Sequence, residues 1–293
     1  MCIGCWRMWS MWTENVSTFL GCDSGFQQAR AVLFGAAFDG TTSYRPGTRF
    51  ASRVMRAESY GLETYSPYQD RDLGACGVFD GGDLDLPFGN VQAVLAKIEE
   101  KAAAILEAGK MPVMIGGEHL VTLGAVRAAV KRFPDLHLLH LDAHTDLREE
   151  YLGETLSHAT VIRRCWDLLG DGRIHQFGIR SGDGPEFAWA AQGHVSMRRF
   201  DLRGFSETVE ALRGKPLYVT IDLDVLDPAV LPGTGTPEAG GVTFMELLSA
   251  ILALKGARVA ACDITELSPP YDPSGTSTAT ALKVLRELLL AVL

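Results

Sequence analysis

Short apolar runs alternate with longer amphipathic segments along most of the chain. The runs predict strands at 31–36, 112–115, 136–141, 174–179, 217–222 and 258–263, with a shorter one near 194–198. The longer segments predict helices at 90–108, 118–131, 156–169, 243–255 and 276–292. Strands without strict polar alternation, interleaved with helices, are typical of a parallel sheet that helices cover on both faces. We therefore predict an α/β fold.

Composition narrows the class of protein further. Of the 293 residues, 47% are apolar and 22% are charged, which suits a globular protein with a large core. No repeat, low-complexity tract or linker divides the chain, so we predict a lead-in over 1–28 and one domain over 29–293. The net charge of -9 argues against nucleic acid as a partner. No apolar run reaches the roughly 18–20 residues of a membrane span, so we expect no membrane partner.

The cysteines and the N-terminus indicate the cellular compartment. Six cysteines are scattered along the chain, which favours reduced thiols and a cytoplasmic location over a disulfide framework. Cys2 and Cys5 form an isolated C-x-x-C, a weak metal or redox signal without a second pair. Residues 1–16 contain one Arg and no clean apolar stretch, so they make a poor signal peptide, and Met11 is an alternative start.

Acidic and histidine side chains stand where the predicted strands end. In parallel sheets the carboxyl ends of the strands meet at one edge, where ligands bind. The candidate ligands are His119, Asp142, His144, Asp146, Asp222 and Asp224, and the last predicted strand ends in Asp263, with Glu266 three residues further on. Oxygen-rich ligands with two imidazoles suit Mn²⁺ better than structural zinc or calcium. Six ligands fit two ions, about 3.5–4 Å apart, that share carboxylates and activate water.

Several motifs resemble one family. The segments "GGEH", "DAHTD", "SHAT", "DLDVLDP", "GTGTPEAGG" and "DITELSPP" occur in the order and spacing of the ureohydrolases, the arginases and agmatinases. The opening "GAAFDGTTSYRPGTRFA" is also similar, so the resemblance covers about residues 29–290. The chain looks most like the short agmatinases of bacteria and archaea. The resemblance implies a three-layer α/β/α fold with a parallel eight-stranded sheet, which residues 29–293 would form as a ureohydrolase catalytic domain.

The resemblance also implies a centre of two Mn²⁺ ions per chain. One ion would be held by His119, Asp142, Asp146 and Asp222. The other would be held by Asp142, His144, Asp222 and Asp224, so that Asp142 and Asp222 bridge the two ions. Glu118 stands where many relatives have Asp, and it is not expected to be a ligand.

Three residues receive catalytic roles from the same resemblance. His158 would shuttle protons at the cleft, although alone it reads as a surface histidine at a helix start. Glu266 would grip the guanidinium of the substrate, because paired charge-assisted hydrogen bonds hold a planar cation well. Asp146 would accept a proton in the tetrahedral intermediate.

Other polar residues receive structural interpretations. We interpret His140 as lying behind the metal centre or in the core, and His137 as structural. Asp227 is interpreted as a turn residue ahead of Pro228. The role of Glu238 stays open.

The expected reaction is hydrolysis of a small cationic guanidino compound to urea and an amine, most simply agmatine to putrescine. Glu149, Glu150 and Glu154 would form an acidic mouth that attracts a distal ammonium, or they are simply a solvated loop. Aminopropylagmatine, which would give spermidine, fits the same logic. Guanidinobutyrate carries a distal carboxylate and fits less well, unless Arg148 binds that carboxylate.

Two other classes of protein share the fold. Deacetylases of this kind bind a single zinc ion, and here His119 and Asp224 complete a second site, which argues against that class. A non-catalytic relative would be expected to have lost ligands, and none is missing from the motifs. The family also implies a homo-oligomer, a trimer or a hexamer.

Overall fold

The computed structural model describes residues 17–293. The interpretations of Cys2, Cys5, Met11 and residues 1–16 therefore lie outside the described residues.

Eight parallel strands form one sheet, and a two-stranded hairpin lies apart from it. The strands are β1 (Ala31–Gly35), β2 (Tyr65–Ser66), β3 (Arg71–Asp72), β4 (Val78–Asp83), β5 (Met111–Ile115), β6 (His137–Leu141), β7 (Ile174–Ile179), β8 (Ser196–Arg199), β9 (Leu217–Asp222) and β10 (Val259–Thr265). Their order in the sheet is β4-β1-β5-β10-β9-β6-β7-β8, and β2 pairs with β3. Every pairing within the large sheet is parallel.

Helices cover both faces of the sheet. They are α1 (Ala51–Glu58), α2 (Val91–Glu107), α3 (Val121–Arg132), α4 (Val161–Leu169), α5 (Gly184–Trp189), α6 (Phe205–Ala211), α7 (Phe244–Ala253) and α8 (Thr276–Val292). One buried apolar cluster joins α2, α3 and α4 to the sheet, and a second joins α1, α6, α7 and α8 to its other face. The predicted three-layer α/β/α fold with an eight-stranded parallel sheet is therefore confirmed.

The apolar pattern located the central strands well and missed several peripheral elements. The predicted strands at 174–179 and 217–222 coincide with β7 and β9, and the other predicted strands agree within two residues. The pattern missed β4, whose sequence "VFDGGD" is rich in glycine and acid. It also missed α1, where the buried Arg56 pairs with Asp80 and so disguises the apolar face. The short helices α5 and α6 were not predicted either.

The lead-in packs against the sheet from Phe19 onward. Phe19 and Cys22 are fully buried, and the Phe19 N–H donates to Asp80 Oδ2 at 2.8 Å. Asp23 forms an isolated bridge with Phe79 of the edge strand β4. The boundary between residues 28 and 29 stays a prediction, but the end of this segment contributes to the core.

Residues 17–293 contain neither a membrane-spanning helix nor a disulfide. No helix in this range is both long and apolar enough to cross a membrane. The cysteines in this range are buried and free of disulfides, namely Cys22, Cys76, Cys165 and Cys262.

The topology places four central strands side by side. The strands β5, β10, β9 and β6 are neighbours in that order, and each is followed by one of the polar motifs. Since all four run in the same direction, their carboxyl ends form one edge of the sheet.

Candidate metal centre

The turn after β6 contributes three of the candidate ligands. Asp142 is fully buried, and its Oδ2 lies 2.7 Å from His140 Nε2, which holds the carboxylate in place. The His144 N–H donates to Asp142 Oδ1 at 2.5 Å. Asp146 has a φ of 51°, in the left-handed region that residues other than glycine rarely adopt.

The turn after β5 delivers His119 to the same place. Its Nδ1 lies 3.0, 3.1 and 3.2 Å from carboxylate oxygens of Asp142, Asp146 and Asp222. Its Nε2 lies 2.9 Å from Thr220 Oγ1, which fixes the ring. Within residues 17–293, no atom forms a well-directed hydrogen bond with this buried Nδ1. A nitrogen that faces three carboxylates without bonding to any of them suits a shared cation.

A second group of ligands adjoins the first. His144 Nδ1 lies 3.0 Å from Asp224 Oδ2 and 3.5 Å from Asp142 Oδ1. The Asp224 N–H donates to Asp222 Oδ1 at 2.9 Å. Potential ligand atoms converge in two sets, one of His119, His140, Asp142 and Asp146 and one of Asp142, His144 and Asp224. Asp142 belongs to both sets, as a bridging ligand would.

The pKa shifts in the cluster indicate that its buried carboxylates need positive charge nearby in order to ionise. Burial, together with Asp224 and Asp142, raises the pKa of Asp222 well above its usual range. Burial and Asp142 raise the pKa of Asp146 to about 7. Burial opposes protonation of His119, but the carboxylates of Asp142, Asp146 and Asp222 outweigh it and raise the pKa of His119 well above normal. Divalent cations would let these carboxylates ionise together, so the residues fit a metal centre.

Glu266 lies beside the cluster, at the end of β10. Its Oε1 accepts the His119 N–H at 2.7 Å, and its own N–H donates to Gly117 O at 3.0 Å. Burial, with Glu118 and Asp224 nearby, raises the pKa of Glu266 well above its usual range. A Cβ at Gly235 would lie 3.3 Å from Glu266 Oε2, so a glycine leaves room at that carboxylate.

His158 lies across the same cleft, in the short turn that leads into α4. Its Nε2 is 3.3 Å from Ser43 Oγ, and its ring meets that of Tyr151 edge-on, with 5.7 Å between centroids. Burial lowers the pKa of His158 to about 4, so the imidazole is neutral at physiological pH. His158 is thus a cleft residue and not an isolated surface histidine.

The outer part of the cleft does not contain the predicted acidic mouth. Glu149, Glu150 and Glu154 are exposed and do not line the cleft, as the solvated-loop interpretation expects. Glu149 and Glu150 line a neighbouring groove beside Trp189, and Glu154 lines a third depression. The wall of the cleft instead carries the carboxylates of Asp183 and Glu186.

Among residues 17–293, Arg148 is the one arginine in that lining, and it is paired. Its Nη1 lies 2.9 Å from Asp183 Oδ2, and its Nε lies 3.6 Å from Glu186 Oε2. Its guanidinium also stacks 4.7 Å above the Tyr151 ring. Glu186 is buried and accepts the Leu147 N–H, whereas the Asp183 side chain is 55% exposed. Asp183 is therefore the carboxylate that solvent or a ligand can reach most easily.

Arg180 is a supporting residue that the sequence did not reveal. Its guanidinium donates to the carbonyls of Asp224 at 2.6 Å, Glu238 at 2.9 Å and Val225 at 3.1 Å. It thereby ties the segment of the candidate ligand Asp224 to the loop that contains Glu238. These are backbone contacts with residues more than forty positions away, and no local motif signals them.

The remaining polar residues have structural roles. His137 begins β6, and its Nδ1 lies 3.3 Å from His175 Nε2. Asp227 accepts the N–H groups of Ala229, Gly240 and Gly241, as a turn residue does. Glu238 accepts the Ser181 hydroxyl at 2.9 Å. Asp263 stays inside β10, where its Oδ2 accepts the Thr122 hydroxyl at 2.9 Å.

Comparisons with known proteins agree with this geometry. The sequence model of the arginase family matches residues 29–291. The chain is 48% identical to an agmatinase of Bacillus anthracis over 93% of this chain and 95% of that protein. It superposes on the agmatine ureohydrolase of Thermoplasma volcanium with a TM-score of 0.88 and 35% identity, over 98% of this chain and 97% of that one. For the proclavaminate amidino hydrolase of Streptomyces clavuligerus the values are 0.85 and 30%, over 94% and 97%.

Proposed function

The chain belongs to the arginase family, and on this basis we propose that it hydrolyses agmatine to urea and putrescine. One observation favours agmatine over other substrates of the family. The cleft that holds the candidate metal ligands also holds the Glu266 carboxylate, and its wall carries the exposed Asp183. Agmatine has a guanidinium at one end and an ammonium at the other, so each end would meet a carboxylate.

We infer that His119, Asp142, His144, Asp146, Asp222 and Asp224 hold two Mn²⁺ ions. His119, Asp142, Asp146 and Asp222 would hold one ion, and Asp142, His144, Asp222 and Asp224 the other. When bound, such a pair supplies a water-derived nucleophile near neutral pH. The oxygen-rich ligand set with two imidazoles favours Mn²⁺ over zinc.

The side chains of the cleft would orient the substrate and transfer protons. Glu266 would orient the guanidinium so that its central carbon faces the nucleophile. Asp146 would accept a proton as the tetrahedral intermediate forms. The departing amine needs a proton when its C–N bond breaks, and His158 Nε2 would relay it from the solvent side of the cleft.

The outer wall supports a preference for a distal ammonium. Asp183 and Glu186 carry two negative charges against the single positive charge of Arg148. The ammonium of agmatine would be attracted there, and so would the aminopropyl extension of aminopropylagmatine. A substrate carboxylate would have to displace Asp183 from Arg148, which disfavours arginine and guanidinobutyrate.

Guanidino acids remain the second candidate because Arg148 lines the cleft. They would require the Arg148–Asp183 pair to open and the guanidinium to turn toward the substrate carboxylate. A deacetylase with a single zinc ion is less well supported, since potential ligand atoms converge here in two sets that share Asp142.

A urea-release assay with added Mn²⁺ tests the proposal. The panel is agmatine, aminopropylagmatine, arginine and guanidinobutyrate. We expect turnover of agmatine or its aminopropyl derivative to exceed that of arginine by about 10²–10⁴ in kcat/KM, since an unpaired charge in a cleft is costly. His119→Asn is the inactive control. Equal turnover of guanidinobutyrate and agmatine would refute the distal-ammonium argument and point to Arg148.

We retain the predictions of a cytoplasmic homo-oligomer, a trimer or a hexamer. Phe88 and Leu152 expose 97% and 81% of their surface, and large exposed apolar side chains suit an interface between subunits. Light scattering on the purified protein measures the subunit number.

A further inference from the structure

A buried carboxylate outside the candidate ligand set fixes one wall of the cleft. Glu118 is fully buried, and both of its carboxylate oxygens point to the segment 41–42. Oε2 accepts the Thr41 N–H at 2.8 Å and the Thr42 hydroxyl at 3.2 Å, while Oε1 accepts the Thr41 hydroxyl at 2.5 Å. Both carboxylate oxygens of Glu118 therefore act as acceptors for these three donors.

The Thr41 hydroxyl continues this chain of contacts to His158. It donates to Glu118 and also accepts the His158 N–H at 3.1 Å. Two residues further on, Ser43 Oγ lies 3.3 Å from His158 Nε2. The backbone and the ring of His158 are therefore both in contact with the segment that Glu118 holds.

The turn that carries Glu118 is itself rigidly packed. The Glu118 N–H donates to Phe38 O at 2.8 Å, and a Cβ at Gly117 would come within 1.8 Å of that oxygen. The next residue is the candidate ligand His119, whose N–H donates to Glu266. One turn thus touches the metal centre on one side and the segment around Thr41 on the other.

We propose that Glu118 and Thr41 are positioning residues for His158. The inference rests on the proposed function, because it assigns to His158 the proton transfer of that reaction. Glu118 anchors Thr41, and the Thr41 hydroxyl sets the height and orientation of the turn that presents the imidazole to the cleft. Neither residue needs to touch the substrate.

Thr41→Val removes the shared hydroxyl while keeping the shape of the side chain. We expect kcat to fall about tenfold or more, since a small misplacement of a catalytic group is costly. KM should change less than kcat, and the metal content should equal that of the wild type. Thr41→Ser restores the hydroxyl and should recover most of the rate.

Thr64→Val is the matched control. The Thr64 hydroxyl also donates to a carboxylate, Asp72 Oδ2 at 2.9 Å, on an exposed part of the surface that is absent from the cleft lining. The kcat of Thr64→Val should match that of the wild type. A comparable loss in Thr64→Val would show that the rate responds to general loosening of the protein and would overturn the proposal.

A double-mutant cycle separates a positioning role from a structural one. In the His158→Ala background, Thr41→Val and Glu118→Gln should cause no further loss of kcat, because the group they position is gone. Additive losses would overturn the proposal, and so would a loss of metal in Thr41→Val. Should Glu118→Gln fail to fold, Thr41→Val on its partly exposed segment still decides the question.

Hydrogen exchange of the metal-loaded protein tests the contact without any turnover. The His158 amide should exchange faster in Thr41→Val than in the wild type, and Thr64→Val should leave it unchanged. Absence of urea release by the wild type would refute the proposed function and leave this measurement intact. Unchanged exchange of the His158 amide in Thr41→Val would refute the proposal that Thr41 and Glu118 position His158.

Discussion

Two carboxylates of the candidate site sit on strained backbone. Asp146 and Glu266 have φ values of 51° and 64°, where a residue with a Cβ costs of order 1–3 kcal/mol. Their surroundings enforce these conformations, since Glu266 is bonded to Gly117 through its N–H and to His119 through its carboxylate. Strain of this kind clusters at functional sites, and here it directs both carboxylates into one cleft.

The first residue-scale prediction concerns Glu266. Glu266→Gln keeps the size of the side chain and removes its charge. A charge-assisted contact contributes about 1.5–3 kcal/mol, so kcat/KM for agmatine should fall roughly tenfold to a hundredfold or more. Metal analysis should show the same content as in the wild type. Full activity of Glu266→Gln across pH 7–10 would remove its assigned role.

The second residue-scale prediction concerns substrate choice at Asp183. Asp183→Asn removes the most exposed carboxylate of the cleft wall and leaves Arg148 with only the longer ion pair to Glu186. The ratio of kcat/KM for agmatine over guanidinobutyrate should drop by roughly fivefold, a modest effect because water screens this site. The matched control is the double variant Glu149→Gln and Glu150→Gln, which neutralises carboxylates outside the cleft. A larger effect in the control would restore the acidic-mouth interpretation.

At the scale of elements, the fully buried strands were the easiest to predict from the sequence. Each residue of β9 is buried, so its apolar run has no competing explanation. The convergence of the candidate ligands could be predicted as well, because few residue types bind metal and the ends of parallel strands bring them together. The wall of the cleft could not, since it depends on long-range bonds such as the Thr145 N–H to Ser181 O at 3.0 Å. Such loop-to-loop contacts leave no periodic pattern in the sequence.

His137 on β6 and His175 on β7 lie side by side, and this pair predicts that the folded protein loses stability at acidic pH. Burial and the neighbouring His137 lower the pKa of His175 to about 4, whereas the unfolded chain has a pKa near 6.5. As pH falls from about 6.5 to 4, the unfolded state takes up a proton that the native state refuses, so stability is lost in that window. By pH 5 the cost is at most roughly 2 kcal/mol.

Replacement of His175 tests this linkage. His175→Gln should lose less stability than the wild type between pH 7 and pH 5 in urea denaturation. His194→Gln is the control, because His194 contacts the carboxylate of Asp171 instead of a second imidazole. Parallel pH dependence in His175→Gln and the wild type would contradict the prediction.

At the scale of the whole molecule, the candidate metal centre joins the turns after β5, β6 and β9. Removal of metal should therefore lower the melting temperature of the whole domain. A ligand at a hundred times its Kd contributes about 2.7 kcal/mol, which corresponds to roughly 4–5 °C for a protein of this size. Thermal melts with chelator, and then with added Mn²⁺, measure the shift.

Variants of the bridging positions sharpen the test. Asp142→Asn and Asp222→Asn should lose both ions more readily than His119→Asn, because each would remove a shared ligand. Their melting temperatures should respond little to Mn²⁺. A single tight zinc ion in the active protein, found by elemental analysis, would contradict the binuclear centre.

The place of β10 in the sheet has a consequence for biosynthesis. β10 is the last strand along the chain, yet it lies between β5 and β9 in the middle of the sheet. While a ribosome is still translating the first 258 residues, β5, which leads to His119, and β9, which ends at Asp222, have no partner between them. The nascent chain therefore cannot assemble its active site from the N-terminus onward. A chain stalled before residue 259 should remain sensitive to protease, and release of the final 35 residues should protect it in one step.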